Sequence, residues 1–190
     1  MSIPVIGSEA IMSKKKNGTT ENPPIKPLRW KVDWAKANKI CCFNRHFAES
    51  SGYFKRSKWY SEVNRRAVTV YYDSITGKPL FRAPIGRTFR QFLAESEKHG
   101  WPSFRDSEVI WDDVRVLRNG EVVSRAGTHL GHNLPDGKGN RYCINLVSIA
   151  GPVPTNGDEY KSPDGSRASS VRAYQLAMAE PLPHSALMMC

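Results

Sequence analysis

The side chain best suited to chemistry is a thiol, Cys143, in the run Arg141-Tyr142-Cys143-Ile144-Asn145. If that run is extended, side chains alternate between faces with a period of two. Tyr142, Ile144 and Leu146 then enter a core, while Arg141, Cys143 and Asn145 share the opposite face. The thiol lies between a permanent cation and an amide donor. A free thiol with a pKa near ~8.5 is only a few per cent ionised at pH 7, and adjacent positive charge raises the fraction of the nucleophilic thiolate. An isolated cysteine is also commonly a small, inert core residue. Spacing alone weighs the two readings about equally.

Upstream lie His129-Leu130-Gly131-His132 and then Pro135-Asp136-Gly137-Lys138-Gly139-Asn140. The Gly and Pro content predicts a loop leading into the cysteine strand. Two imidazoles there could donate protons or orient a substrate oxygen, since histidine titrates near working pH. With Cys143 they are also three zinc-ligand types, although Gly131 and the missing glutamate break the helical metalloprotease pattern. One of the pair as an ordinary surface histidine is a third reading. Gly100-Trp101-Pro102-Ser103-Phe104 offers aromatic side chains, Trp101 and Phe104, as a wall for a small apolar group; the plainer reading is a turn that buries a tryptophan.

The elements that must carry these groups read as short strands between turns. Val68–Tyr72 is β-branched and aromatic, and a turn at 73–79 precedes Leu80-Phe81. Phe89, Phe92 and Leu93 have helical spacing with Gly100 as the stop, which predicts a helix over 87–98. Runs 108–111, 114–117 and 121–124 read as strands, and Asn119-Gly120 is a hairpin signal. Residues 141–149 read as one further strand. The fold class expected is mainly β, two packed antiparallel sheets with a few short helices and flexible termini. Residues 1–27 are polar, basic and Pro-rich and are expected to be a disordered tail. Residues 28–151 form the domain, and 152–190 form a linker and C-terminal tail with a short helix before Pro181.

Composition bounds the function. The 190 residues carry a net charge of +10 and no apolar run long enough to span a membrane. Nothing at the N-terminus reads as a secretory signal. The cysteines, at 41, 42, 143 and 190, lack the spacing of a disulfide scaffold. Reduced thiols in a cytoplasmic compartment are therefore expected, with an organelle left open. The positive charge suits nucleic acid or acidic partners, but no nucleic-acid-binding motif accompanies it, so nucleic acid is not expected as the partner.

GWPSF (100–104), HLGH (129–132), PDG (135–137) and RYCIN (141–145), in this order, resemble the B-type methionine sulfoxide reductases, which act on the R epimer. GKPLF (77–81) and EVVSRAGTHLGH (121–132) also look like that family, and the likeness runs from Val68 to Ile149, under half the chain. Segment 40–67 has no secure counterpart. The resemblance implies a reductase domain of two packed antiparallel sheets. It implies Cys143 as nucleophile toward the sulfoxide sulfur, Trp101 (with Phe104) holding the methyl group, and His129 and His132 binding or protonating the oxygen. Arg141 and Asn145 would hold the thiolate. Oxidised methionine, free or in proteins, would be the substrate, and a dithiol such as thioredoxin the reductant.

Two departures matter. Where many members carry two CxxC pairs for a structural zinc, this chain has Asp73 and Thr76, then Val123 and Ala126, so no zinc or other bound cofactor is expected. Where many carry a resolving cysteine two residues before the tryptophan, it has His99. The resolving thiol is then Cys41, Cys42, Cys190 or an external one, with Cys41 or Cys42 favoured. Two readings compete with the reductase: a His129/His132/Cys143 zinc site, and a non-catalytic or nucleic-acid-binding module on the same scaffold.

Overall fold

The computed structural model describes residues 3–155. Two antiparallel sheets and a few short helices make up the fold. Strands β1 (Thr69–Tyr72) and β2 (Pro79–Ala83) pair as a hairpin. The larger sheet contains β3 (Ser103–Phe104), β4 (Val114–Val116), β5 (Glu121–Ser124), β6 (His129–Asn133) and β7 (Tyr142–Ile144), ordered β3-β7-β6-β5-β4. One face of this sheet carries Phe104, Tyr142, Ile144, Leu130, Val122, Val114 and Val116 into the main core. The hairpin supplies Tyr71 and Phe81, whose rings meet Phe104 at 5.2 and 4.5 Å between centroids.

Short helices α1 (Trp34–Asn38), α2 (Tyr53–Arg56) and α3 (Trp59–Glu62) lie ahead of the hairpin, and α1 continues as a π-helical turn over Lys39–Phe43. The predicted helix is present as α4 (Phe89–His99). Thr88 and Gln91 cap its first turn reciprocally, and Gly100, at φ +89°, closes it in the left-handed region that glycine enters most easily. No helix among the described residues is long and apolar enough to cross a membrane.

Several expectations are corrected. Residues 3–27 are not a loose tail: Ile6 bridges Val116, with Val116 N–H donating to Val5 O and Gly7 N–H to Val116 O. Met12 is buried against Leu117 and Val123. Such a segment lacks the apolar content to fold alone, but here it pairs with the open edge of β4 and covers the sheet's second face at Leu117 and Val123. Run 108–111 is not a strand. A 3₁₀ turn over Asp106–Glu108 buries the Glu108 carboxylate under Arg87 and the Ile85 and Arg105 amides, leaving only Val109 to bridge Phe81. HLGH is a central strand rather than a loop. Gly131 is there for contact, since a Cβ on it would lie 2.0 Å from Cys143 O. The strand expected over 141–149 ends at Ile144 and turns into a 3₁₀ turn, Leu146–Ser148. The short helix expected before Pro181 lies outside the described residues.

Buried Asp73 joins the turn after β1 to the turn after β5. It accepts the Thr128 hydroxyl at 2.9 and 3.0 Å, the Thr76 hydroxyl at 3.0 Å and the Ile75 amide at 2.9 Å. Burial raises its pKa, and these donors pull the other way.

Candidate functional site

The sheet face opposite the core carries the chemistry, and a bulge composes it. Val122 pairs with Gly131 but Val123 pairs with His129, so Leu130 is one residue too many in β6. Leu130 goes into the core. The alternation on either side then puts His129 and His132 on the same face as Glu121, although residues three apart in a regular strand face opposite ways. The two imidazole centroids are 5.7 Å apart. His132 is the cross-strand partner of Cys143, and Cys143 that of Ser103, so the thiol joins the same face.

His129 is nearly fully buried, and its Nδ1 is 2.8 Å from Glu121 Oε1. Glu121, also buried, accepts from Arg45 Nε at 3.2 and 3.0 Å and from Arg45 Nη2 at 2.6 Å. Burial alone would push the Glu121 carboxyl up; the bonds from His129 and Arg45 hold it below its ordinary value. Ionised Glu121 therefore takes the Nδ1 proton of His129 as its donor, leaving Nε2 for the site. Burial, opposed by the Glu121 charge, lowers the His132 pKa, which favours the neutral imidazole.

Cys143 is half-buried. Burial pushes its thiol up, and the neighbouring Arg141 charge pulls it back without cancelling the effect. This corrects the expectation of an already activated thiolate: the strand places the cation correctly, but desolvation outweighs it. Buried Arg141 keeps Nε and Nη1 without hydrogen-bond partners, and Nε lies 3.7 Å from Asp136 Oδ2. Buried donors of this kind favour an anion beside the sulfur, and the thiolate is itself such an anion.

Glu49 is the residue that sequence reasoning missed. Its carboxylate is buried and accepts the Leu146 amide at 2.8 Å and the Val147 amide at 3.0 Å, which turns the chain just after β7. Its own N–H donates to Asn145 Oδ1 at 2.9 Å, and its carbonyl accepts the Trp101 indole N–H at 2.9 Å. Burial pushes its pKa to about 7, against those two amides and Lys36, and its charge raises Cys143. Nothing in its sequence surroundings, Phe47-Ala48-Glu49-Ser50-Ser51, signals a buried acid.

Other expected residues divide. Trp101 is half-buried; Ile144 N–H donates to Pro102 O, which holds residues 101–103 alongside β7. Asn145 is at the site's edge but does not serve the thiol, because its Nδ2 donates to Leu130 O and its Oδ1 is taken by Glu49. Phe104 is corrected outright: it pairs with Tyr142, faces the core and is fully buried, so it cannot line the thiol's face. Cys41 and Cys42 are fully buried too. Cys41 Sγ lies 3.4 Å from Ser148 Oγ, and Thr20 Oγ1 donates to Cys42 Sγ at 3.2 Å. Burial raises both thiols, so neither is the ready resolving thiol expected of them. Cys190 lies outside the described residues. Among the described residues no three His, Cys, Asp or Glu side chains converge as metal ligands, His129, His132 and Cys143 included. No protein-family model matches the chain.

Proposed function

We propose that this protein is a thiol-dependent reductase of methionine-R-sulfoxide, with Cys143 as the nucleophile. The observation that carries this reading is one sheet face bearing a half-buried thiol, a cross-strand imidazole and a second imidazole oriented by a buried carboxylate. Sulfoxide reduction needs these parts. A soft sulfur nucleophile must meet the sulfoxide sulfur, and the departing oxygen must be hydrogen-bonded and protonated. The oxygen passes from the substrate to Cys143, leaving the thioether and a sulfenic acid that retains the thiol's proton on oxygen. An external dithiol such as thioredoxin then condenses with the sulfenic acid, releases water and, through its second thiol, frees Cys143 as it becomes a disulfide. An external reductant suits the burial of Cys41 and Cys42.

Within this reading Arg141 offsets part of the desolvation of the thiolate. His132 and His129 face the oxygen, and the Trp101 ring, tied by its N–H to Glu49 O, bounds the methyl group. The resemblance of GWPSF, HLGH and RYCIN to the B-type reductases supports the same chemistry. The Asp73–Thr128 and Asp73–Thr76 hydrogen bonds tie together the two turns whose counterparts carry zinc in many members of that family, which supports a zinc-free reading.

The test is stereospecific turnover. Wild type should reduce a methionine-R-sulfoxide peptide and not the S epimer, and Cys143→Ser should have no turnover while keeping its melting temperature. With substrate and no reductant, mass spectrometry should find one added oxygen, trappable by a sulfenic-acid reagent, on Cys143. Full turnover by Cys143→Ser refutes the assignment.

A further inference from the structure

The polar chain behind His129 runs back into the part of the sequence that the resemblance does not cover. Arg45 follows the π-helical turn after α1, and its guanidinium sits between two carboxylates. Nε and Nη2 engage Glu121, while Nη1 meets Glu9 at 2.5 Å. Glu121 is 2% exposed, Arg45 25% and Glu9 66%, so the chain leads from a buried imidazole to the surface through one arginine.

We propose that Arg45, steadied by Glu9, is a positioning residue for the Cys143 site: it fixes the Glu121 carboxylate so that His129 keeps its proton on Nδ1 and leaves the Nε2 lone pair free to take the thiol's proton and pass it to the substrate oxygen. The last clause rests on the reductase reading; the hold on His129 does not. A buried carboxylate is tolerable only while its charge is paired. Glu121 has two partners, and they compete for it. With the Arg45 fork in place, one neutral imidazole N–H completes its coordination. Without the fork, the uncompensated charge is met by a proton, shared with or drawn onto His129, and the ring loses its fixed tautomer. Lysine cannot substitute, because a single ammonium does not reproduce the planar fork that meets both carboxylate oxygens. Glu9 acts on the guanidinium alone. As an exposed pair it is worth little in stability, but it occupies the nitrogen that Glu121 leaves free.

The test is long-range proton–nitrogen NMR of the histidine rings together with turnover. Wild-type His129 should be the Nδ1–H tautomer at neutral pH. Arg45→Ala, shown folded by its melting curve, should lose that signature and lose kcat by roughly tenfold or more at nearly unchanged KM. Added guanidinium ion, but not tetramethylammonium, should restore part of both. Arg45→Lys should recover less than half of the loss, and Glu9→Gln should lower kcat by about twofold. If Arg45→Ala does not fold, the wild-type tautomer and Glu9→Gln decide, and an Nε2–H His129 in wild type overturns the proposal. So does a folded Arg45→Ala with an unchanged ring signature. If no variant and no wild type reduces sulfoxide, the functional reading fails, while the ring spectra still decide the role of Arg45.

Discussion

Replacing Glu49 by glutamine tests the structure where burial and charge compete most directly. The carboxyl is inside the protein, and burial moves its pKa from 4.5 to about 7. A group whose folded pKa is raised favours the folded state in its protonated form. That contribution is full below 4.5 and is lost as pH rises through about 7. At about 1.4 kcal/mol per tenfold change, the loss is about 3 kcal/mol across this window. Glutamine cannot ionise, so Glu49→Gln should show no such loss. The substitution has its own cost, because two amides point at the carboxylate and a glutamine oxygen satisfies one of them. One buried donor is left unmet at a cost of about 1–3 kcal/mol. The variant should therefore be less stable than wild type at pH 5 and should match or exceed it at pH 8. Urea titrations at a series of pH values measure this, and the wild-type-minus-variant difference cancels the other titrating groups. Alkylation of Cys143 is an independent readout: removing the negative charge should speed its reaction with iodoacetamide near neutral pH. Parallel stability curves for the two proteins, or an unchanged alkylation profile, would refute the reasoning.

Two further substitutions probe the scaffold. Gly131→Ala places a methyl group 2.0 Å from Cys143 O; backbone must move, so a loss of about 3 kcal/mol or more is expected in urea unfolding, with altered Cys143 alkylation. Thr128→Val removes the hydroxyl that donates to both Asp73 oxygens in the buried join between the two turns, and the melting curve should report a loss of about 1–3 kcal/mol.

Local pattern was enough to find α4, the β4–β5 hairpin and the faces of β7. Each of these is specified within a dozen residues by period, caps or Asn119-Gly120. Where the reading went astray, a distant partner decided. HLGH looked like a loop because glycine usually means a turn, yet Gly131 is required by the approach of Cys143 O from the neighbouring strand. The apolar run after Asn145 looked like continuing strand, yet the Glu49 carboxylate, almost a hundred residues earlier, captures the amides of Leu146 and Val147. Residues 3–27 looked disordered because composition reports whether a segment can fold alone, not whether an open sheet edge awaits it.

The site itself divides along the same line. Which groups share a face with the thiol follows from alternation, and the sequence reveals it for Cys143 and Arg141. Whether the thiol is ionised depends on how much solvent the surrounding chain removes, and no spacing encodes that. Here burial leaves the resting thiol above its ordinary pKa despite the adjacent guanidinium. In the proposed reductase, a sulfoxide changes that balance by adding an oxygen that can receive the thiol's proton through the imidazoles as the sulfur is attacked. Under the proposed function, reactivity is coupled to occupancy: the resting thiol is protonated and weakly nucleophilic, and a bound sulfoxide supplies the acceptor that makes deprotonation worthwhile. The same proposal gives a reason for the supporting carboxylates, Glu49 and Glu121, being buried rather than exposed. Each acts on a proton balance that solvent would otherwise screen, and each is held by residues between 9 and 147 that only the folded chain brings together.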